Sequence, residues 1–124
     1  MKSEKKITID EVRELMKGDA PLFFLNVRQH RERDWSVIKV RGALRVPDDE
    51  VERHIDEIPH DRVLVVYSSS PGDEPSEWAV ELLRQRGWNN AYVLIGGFGA
   101  YLEAGLPVEE FGVGSETRKI MFLS

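Results

Sequence analysis

The chain has 124 residues, enough for one domain with a proper core. A hydrophobic share of 41% beside 31% charged residues fits a globular protein, and a net charge of −5 argues against nucleic acid and anionic membrane surfaces as partners. No apolar run approaches the ~20 residues of a membrane-spanning helix, and the basic start MKSEKK is not followed by the apolar stretch of a signal peptide, so a cytoplasmic location is the default.

A weak strand is expected near Lys6–Thr8. Thr8 with Glu11 fits a capping box, Val12, Leu15 and Met16 then recur at helical spacing, and Gly18 ends that helix. PLFFLNV (21–27) is a short apolar run of β-formers, hence a buried strand, and RQHRERDWS (28–36) is a polar excursion more in keeping with a solvated loop than a partner patch. GALRVP (42–47) is another short strand. DDEVERHIDEI (48–58) reads as an amphipathic helix with Val51, Ile55 and Ile58 inward and an acidic first turn that suits the helix dipole.

RVLVVYS (62–68) is apolar on both faces, as a central parallel strand should be. PSEWAVELLRQRG (75–87) is a helix with Pro75 near its start, an apolar face of Trp78, Ala79, Leu82 and Leu83, and Gly87 as its stop. AYVLIGG (91–97) is the last strand, with Gly96 and Gly97 allowing close packing of strand on helix, and FGAYLEAG is a short helix stopped by Gly105. In the tail, GVGSETRKIMFLS, Ser115 could cap a short helix carrying Ile120, Met121 and Phe122, whose apolar side would cover this domain or a neighbouring copy.

Strands alternating with helices predict an α/β fold, a parallel sheet covered on both faces. Ligands in such sheets sit at the carboxyl ends of strands, where loops meet helix N-termini. VVYSSSPGDEP brings a strand to a tight turn and a helix at such an end, so position alone marks Ser68, Ser69, Ser70, Pro71, Gly72, Asp73 and Glu74 as the candidate site. Arg28 follows a strand and could point towards that loop, and Trp78, Trp35 and Tyr101 suit core or pocket-rim aromatics.

The bland reading of the three serines is that hydroxyls suit tight turns by bonding nearby backbone. A serine nucleophile needs a base and an oxyanion hole, and there is no G-x-S-x-G elbow. His30 lies in a polar loop, His54 on a predicted helical face and His60 in a turn, each better suited to solvent than to catalysis. Asp73 and Glu74, with Glu77 one turn on, suit a helix N-terminus but weaken any anion site there. The chain has no cysteine, which removes thiolate metal sites and thiol nucleophiles together; no metal and no cofactor are expected.

Four segments, in order, resemble the rhodanese-like domain, the single-domain sulfurtransferase fold. LFFLNVRQHRE resembles that family's strand followed by DVRxxxE, with Asn26 in place of the acid. VRGALRVP resembles HIPGAINIP, HDRVLVVYS resembles KDRPVVVYC, and YVLIGGFGAYLEAGLPVE resembles VxxLxGGxxxWxxAGLPVE, with Tyr101 for the Trp. The likeness spans about 7–109, which defines a single domain over 1–124 with a tail at 110–124. It implies a three-layer fold with a parallel sheet of about five strands. It implies an active-site loop whose backbone N–H groups lower the pKa of a persulfide-carrying cysteine.

Ser68 stands at that cysteine's position, and SSSP resembles a C-x-C-P version of the loop with both sulfurs exchanged for oxygen. A hydroxyl cannot form a persulfide. Asn26 removes a charge that in the family organises this loop, Arg28 is structural or pocket-lining there, and Lys39 stands where the family often has His. About two extra residues lie between Glu32 and Gly42. Two functions follow as expectations. One is a non-catalytic module that binds a protein partner, a small anion or a sulfur-donor-like ligand through the old active-site loop. The other is a sulfurtransferase whose cysteines have been replaced by serine. The oligomeric state is left open by the residues.

Overall fold

The structure, a computed structural model, describes residues 5–28, 38–68 and 74–110. The main strands are β1 (Lys6–Ile7), β2 (Leu22–Arg28), β4 (Leu44–Pro47), β5 (Val63–Tyr67) and β6 (Ala91–Leu94), and they form one sheet in the order β1-β6-β5-β2-β4. Every pairing in it is parallel. The short strand foreseen at the start of the chain is β1, and it closes the β6 edge.

The alternation of side chains along a strand explains why VLVVY has no polar position. Leu64 and Val66 of β5 enter the core on one face, and Val65 and Tyr67 enter it on the other. The first face is covered by α2 (Glu74–Gln85), through Ala79, Val80 and Leu83, and by Val51 and Ile58. The second is covered by α1 (Ile9–Lys17), through Val12, and by α3 (Gly97–Glu103), through Phe98 and Tyr101. α1 starts at the foreseen capping box: the Glu11 N–H donates to Thr8 Oγ1 at 3.1 Å, and the Thr8 N–H donates to Glu11 Oε1 at 2.9 Å. Gly18 caps its end. Among the described residues no helix is long and apolar enough to cross a membrane.

Three readings need correction. The segment 48–58 is not one α-helix but two 3₁₀ turns, Asp48–Glu50 and Ile55–Glu57. Its backbone bonds run mostly from residue i to i−3, as in Ile55 to Glu52, Glu57 to His54 and Ile58 to Ile55. The reason is reach. The segment must return from the carboxyl end of β4 to the amino end of β5, and a 3₁₀ coil rises about 2.0 Å per residue against about 1.5 Å for an α-helix. Val51 and Ile58 are still buried, as their spacing suggested.

Second, the sequence reading had no strand at 38–40 or 108–110, and both are strands. β3 (Ile38–Val40) pairs antiparallel with β7 (Val108–Glu110), a ribbon separate from the main sheet. Val40 is buried under it, and Ile38 and Val108 pack on the same cluster. Third, Trp78 is not on the apolar face of its helix. It is 51% exposed, on the outer side with Glu74 and Glu81, and Val80 takes the inward position instead. The loop at 29–37, with His30 and Trp35, and the tail from 111, with its proposed helix after Ser115, lie outside the described residues.

Candidate functional site

The carboxyl ends of β2, β4, β5 and β6 lie side by side, because the sheet is parallel. The register pairs Asn26 with Tyr67 and Arg28 with Pro47. Ser68 follows directly on β5, at the position the sequence marked. It is 1% exposed, one of three buried polar residues among the described residues, with Asn26 and Ser76. Ser69, Ser70, Pro71, Gly72 and Asp73 lie outside the described residues. Glu74, at the start of α2, is exposed, whereas Pro75 and Ser76 just after it are buried against the sheet.

Several elements converge on the end of β5. The Asn26 side-chain amide, on β2, donates to the Tyr67 carbonyl at 3.4 Å. The Tyr67 hydroxyl accepts from the Val40 N–H of β3 at 3.2 Å. The Phe98 N–H, on α3, donates to the Ser68 carbonyl at 3.2 Å. This last bond depends on the glycine pair. Gly96 and Gly97 have φ of 85° and 59°, so the chain leaves β6 through a turn that L side chains rarely adopt. A Cβ on Gly96 would lie 2.8 Å from Ala100 Cβ. The close strand-to-helix approach expected of these glycines is thus what turns the first N–H groups of α3 back towards β5.

Other candidates fall elsewhere. His60 stacks on Trp88 with ring centroids 3.8 Å apart, just before β5 and so at the amino end of the sheet, away from Ser68. His54 Nδ1 lies 2.8 Å from Glu57 Oε2, and its Nε2 lies 3.7 Å from Glu50. Neither histidine stands as a base beside Ser68. Lys39 Nζ donates to the Ala43 carbonyl at 2.7 Å and pairs with Glu109 at 2.9 Å, so it clasps the ribbon. That hydrogen bond from Lys39 holds the Glu109 carboxyl below its ordinary range, against a smaller opposing effect of burial. Arg28 ends β2 half-buried, on the same side of the strand as Asn26. Tyr101 is a core aromatic, fully buried, with its hydroxyl donating to the Pro107 carbonyl at 2.6 Å, and burial pushes its pKa up to about 12.

Sequence reasoning did not single out Tyr67 and Phe98, which lie at or contact the end of β5 beside the candidate site. A tyrosine inside an all-apolar central strand, one residue before the loop, was the available signal: a buried hydroxyl must find a partner.

The family model for the rhodanese-like domain matches residues 8–104, and the chain belongs to that family. Among solved structures, the chain is similar to the rhodanese-like domain of an Anabaena sp. protein, at 26% identity and a TM-score of 0.70, over 98% of this chain and 89% of that one. A further structure from the same Anabaena protein, described as a Rhodanese_3-like domain, is 30% identical with a TM-score of 0.60, over 72% of this chain and 92% of that one. A full-length protein from Lactobacillus plantarum is 25% identical with a TM-score of 0.70, over 85% of this chain and 87% of that one. No curated protein matches the chain.

Proposed function

We propose that this rhodanese-like domain is a non-catalytic module that binds a protein partner or a small anion through the loop at 68–74. The observation that carries the reading is Ser68: a hydroxyl, buried at the end of β5, at the place where the family's sulfur chemistry needs a thiol, in a chain with no cysteine. Sulfur transfer requires a thiolate to take up sulfane sulfur and a persulfide to pass it on. A hydroxyl is a far weaker acid and cannot carry that sulfur. Neither described histidine is placed to activate it as an oxygen nucleophile. The amide-lined loop of the family suits an anion or a partner's acidic group, while the acidic Asp73 and Glu74 in the same loop weaken that attraction.

The test is a thiosulfate or 3-mercaptopyruvate assay with cyanide as acceptor. The expected outcome is no thiocyanate above the rate without protein; turnover would sink the reading. Binding is followed by titrating thiosulfate or sulfate while observing the backbone amides of Ser68 and Phe98, which shift if the loop takes an anion.

A second reading is favoured by serine at both position 68 and position 70: a persulfide enzyme in which the two cysteines of a C-x-C loop were replaced. Ser68→Cys, and then Ser68→Cys with Ser70→Cys, separate the two. On the second reading the new thiol titrates below the free value of about 8.5 and gains a sulfane sulfur from a donor, seen by mass spectrometry. On the first it stays inert.

A further inference from the structure

Among the described residues, Trp78 is the largest apolar side chain left open to solvent. An aromatic of that size standing in water forgoes the free energy that its burial would release. Its neighbours on the helix are acids. Glu74 lies one turn before it and Glu81 one turn after, both exposed, and α2 has no basic residue before Arg84. Glu77 and Glu81 turn towards β1, where they meet Lys6 at 3.5 Å and Lys5 at 2.6 Å. Glu74 has no ion pair among the described residues.

On its other side α2 lies against the 3₁₀ turn Asp48–Glu50, three acids in a row. Positions 78, 82 and 86 stack along one side of the helix, and Arg86, at the end of that row, pairs with Glu52 of the same crossover. Trp78 therefore stands on the side of α2 nearer those acids.

The signs select an occupant. The chain carries a net charge of −5. Two copies joined through this face would set acids against acids, and a two-fold contact repeats that clash on both sides. A polyanion meets the same repulsion. A cationic segment gains from both features: a guanidinium stacks on an indole face, and the carboxylates beside it attract further positive charge. The spacing agrees. Glu74 and Trp78 are about 6 Å apart along the helix axis, at about 1.5 Å per residue. Alternate residues of an extended chain, which share one side, are about 6.6 Å apart at about 3.3 Å per residue. Two basic residues at that spacing meet the indole and the carboxylate together.

We propose that the Trp78 face of α2 is a docking surface for an extended, arginine-bearing segment of a partner protein, with one arginine over the indole and the next against Glu74. The surface shares Glu74 with the loop at 68–74. It does not rest on the binding proposed for that loop, which the Ser68 amide reports separately.

The experiment titrates the full chain with an eight-residue peptide of alternating arginine and alanine at low ionic strength, followed by calorimetry. The expected result is saturable binding that weakens about tenfold with Trp78→Ala, the loss of an aromatic anchor. That substitution changes no charge, so general attraction between a cationic peptide and an acidic protein cannot produce the loss. Glu74→Gln weakens binding about threefold. Glu103→Gln, an equal change of charge at an exposed position of α3 on the opposite face of the sheet, leaves it unchanged. Added salt weakens binding.

Absence of saturable binding, unchanged affinity with Trp78→Ala, or a loss with Glu103→Gln equal to that with Glu74→Gln overturns the proposal. So does a dimer of the protein alone that Trp78→Ala dissolves in sedimentation, which would give this face to a second copy. Where Trp78→Ala does not fold, the indole N–H resonances of the unsubstituted protein decide. The Trp78 signal must shift with peptide while that of Trp88, buried and bonded to the Pro59 carbonyl, stays in place; an unmoved Trp78 signal overturns the proposal.

Discussion

The two ends of the parallel sheet are built differently. At the amino end, Trp88 is almost fully buried, stacks on His60 and donates its indole N–H to the Pro59 carbonyl at 3.0 Å. Around it the Asn90 side chain donates to the Arg62 carbonyl, and Arg84 Nε donates to the Ala91 carbonyl at 2.9 Å while its guanidinium lies over Tyr92. Large apolar surface and local turns lock this end together. At the carboxyl end the grip on β5 comes from separate hydrogen bonds reaching across the chain, Asn26 to Tyr67, Val40 to Tyr67 and Phe98 to Ser68. The amino end therefore carries stability through burial, worth about 25 cal/mol per Å² of apolar surface. The carboxyl end also buries Tyr67 and Phe98, and it adds bonds worth about 1 kcal/mol each that set the arrangement.

The largest effect that would sharpen this contrast is at Trp88. Trp88→Ala should cost about 3–5 kcal/mol in urea denaturation, and the surviving native protein should keep Ser68 buried. A loss below about 1 kcal/mol would erase the distinction between the ends.

Tyr101→Phe comes next, because it removes the hydroxyl that ties α3 to Pro107 at the foot of β7. The expected loss is about 1 kcal/mol at neutral pH. Its pH dependence has a definite sign. Burial raises the folded pKa from 10.0 to about 12, with Arg41 opposing. The unfolded chain gives up this proton first, so the contribution is full below pH 10 and is lost as pH rises towards 12. The urea midpoint of the unsubstituted protein should fall over that window more than that of Tyr101→Phe. Parallel curves would show that the phenol does not stay protonated.

The smallest effect is at the ribbon. The Glu109 carboxyl is held low by Lys39, so its contribution is present above the ordinary carboxylate pKa and disappears as pH falls through the lowered folded value. Because the pair is partly exposed, Glu109→Gln should cost at most about 1 kcal/mol at pH 7 and nothing in acid. A cost that persists in acid would mean that shape, not charge, holds the ribbon.

Much of the molecule was legible in local chemistry. Thr8 and Glu11 cap α1 wherever the helix lies, because both bonds form within one turn. The unbroken apolar run of β5 could only be a strand buried on both faces, and the turn after it could only lie at the carboxyl end of a parallel sheet. That reasoning set Ser68 at the end of the central strand, where the structure also has it. What tertiary structure alone decided were the choices that depend on distant partners. Residues 48–58 have a helical spacing, but the span between two sheet ends stretched them into 3₁₀ turns. Trp78 is the largest apolar side chain on α2, yet it faces outward, because the helix settles by the summed fit of Ala79, Val80 and Leu83 on the sheet. β3 and β7 are separated by most of the chain and too short to announce themselves. Contacts from distant elements brace that pairing, the Val40 N–H on the Tyr67 hydroxyl and the Tyr101 hydroxyl on the Pro107 carbonyl, and another long-range contact sets Asn26 against the carbonyl of Tyr67.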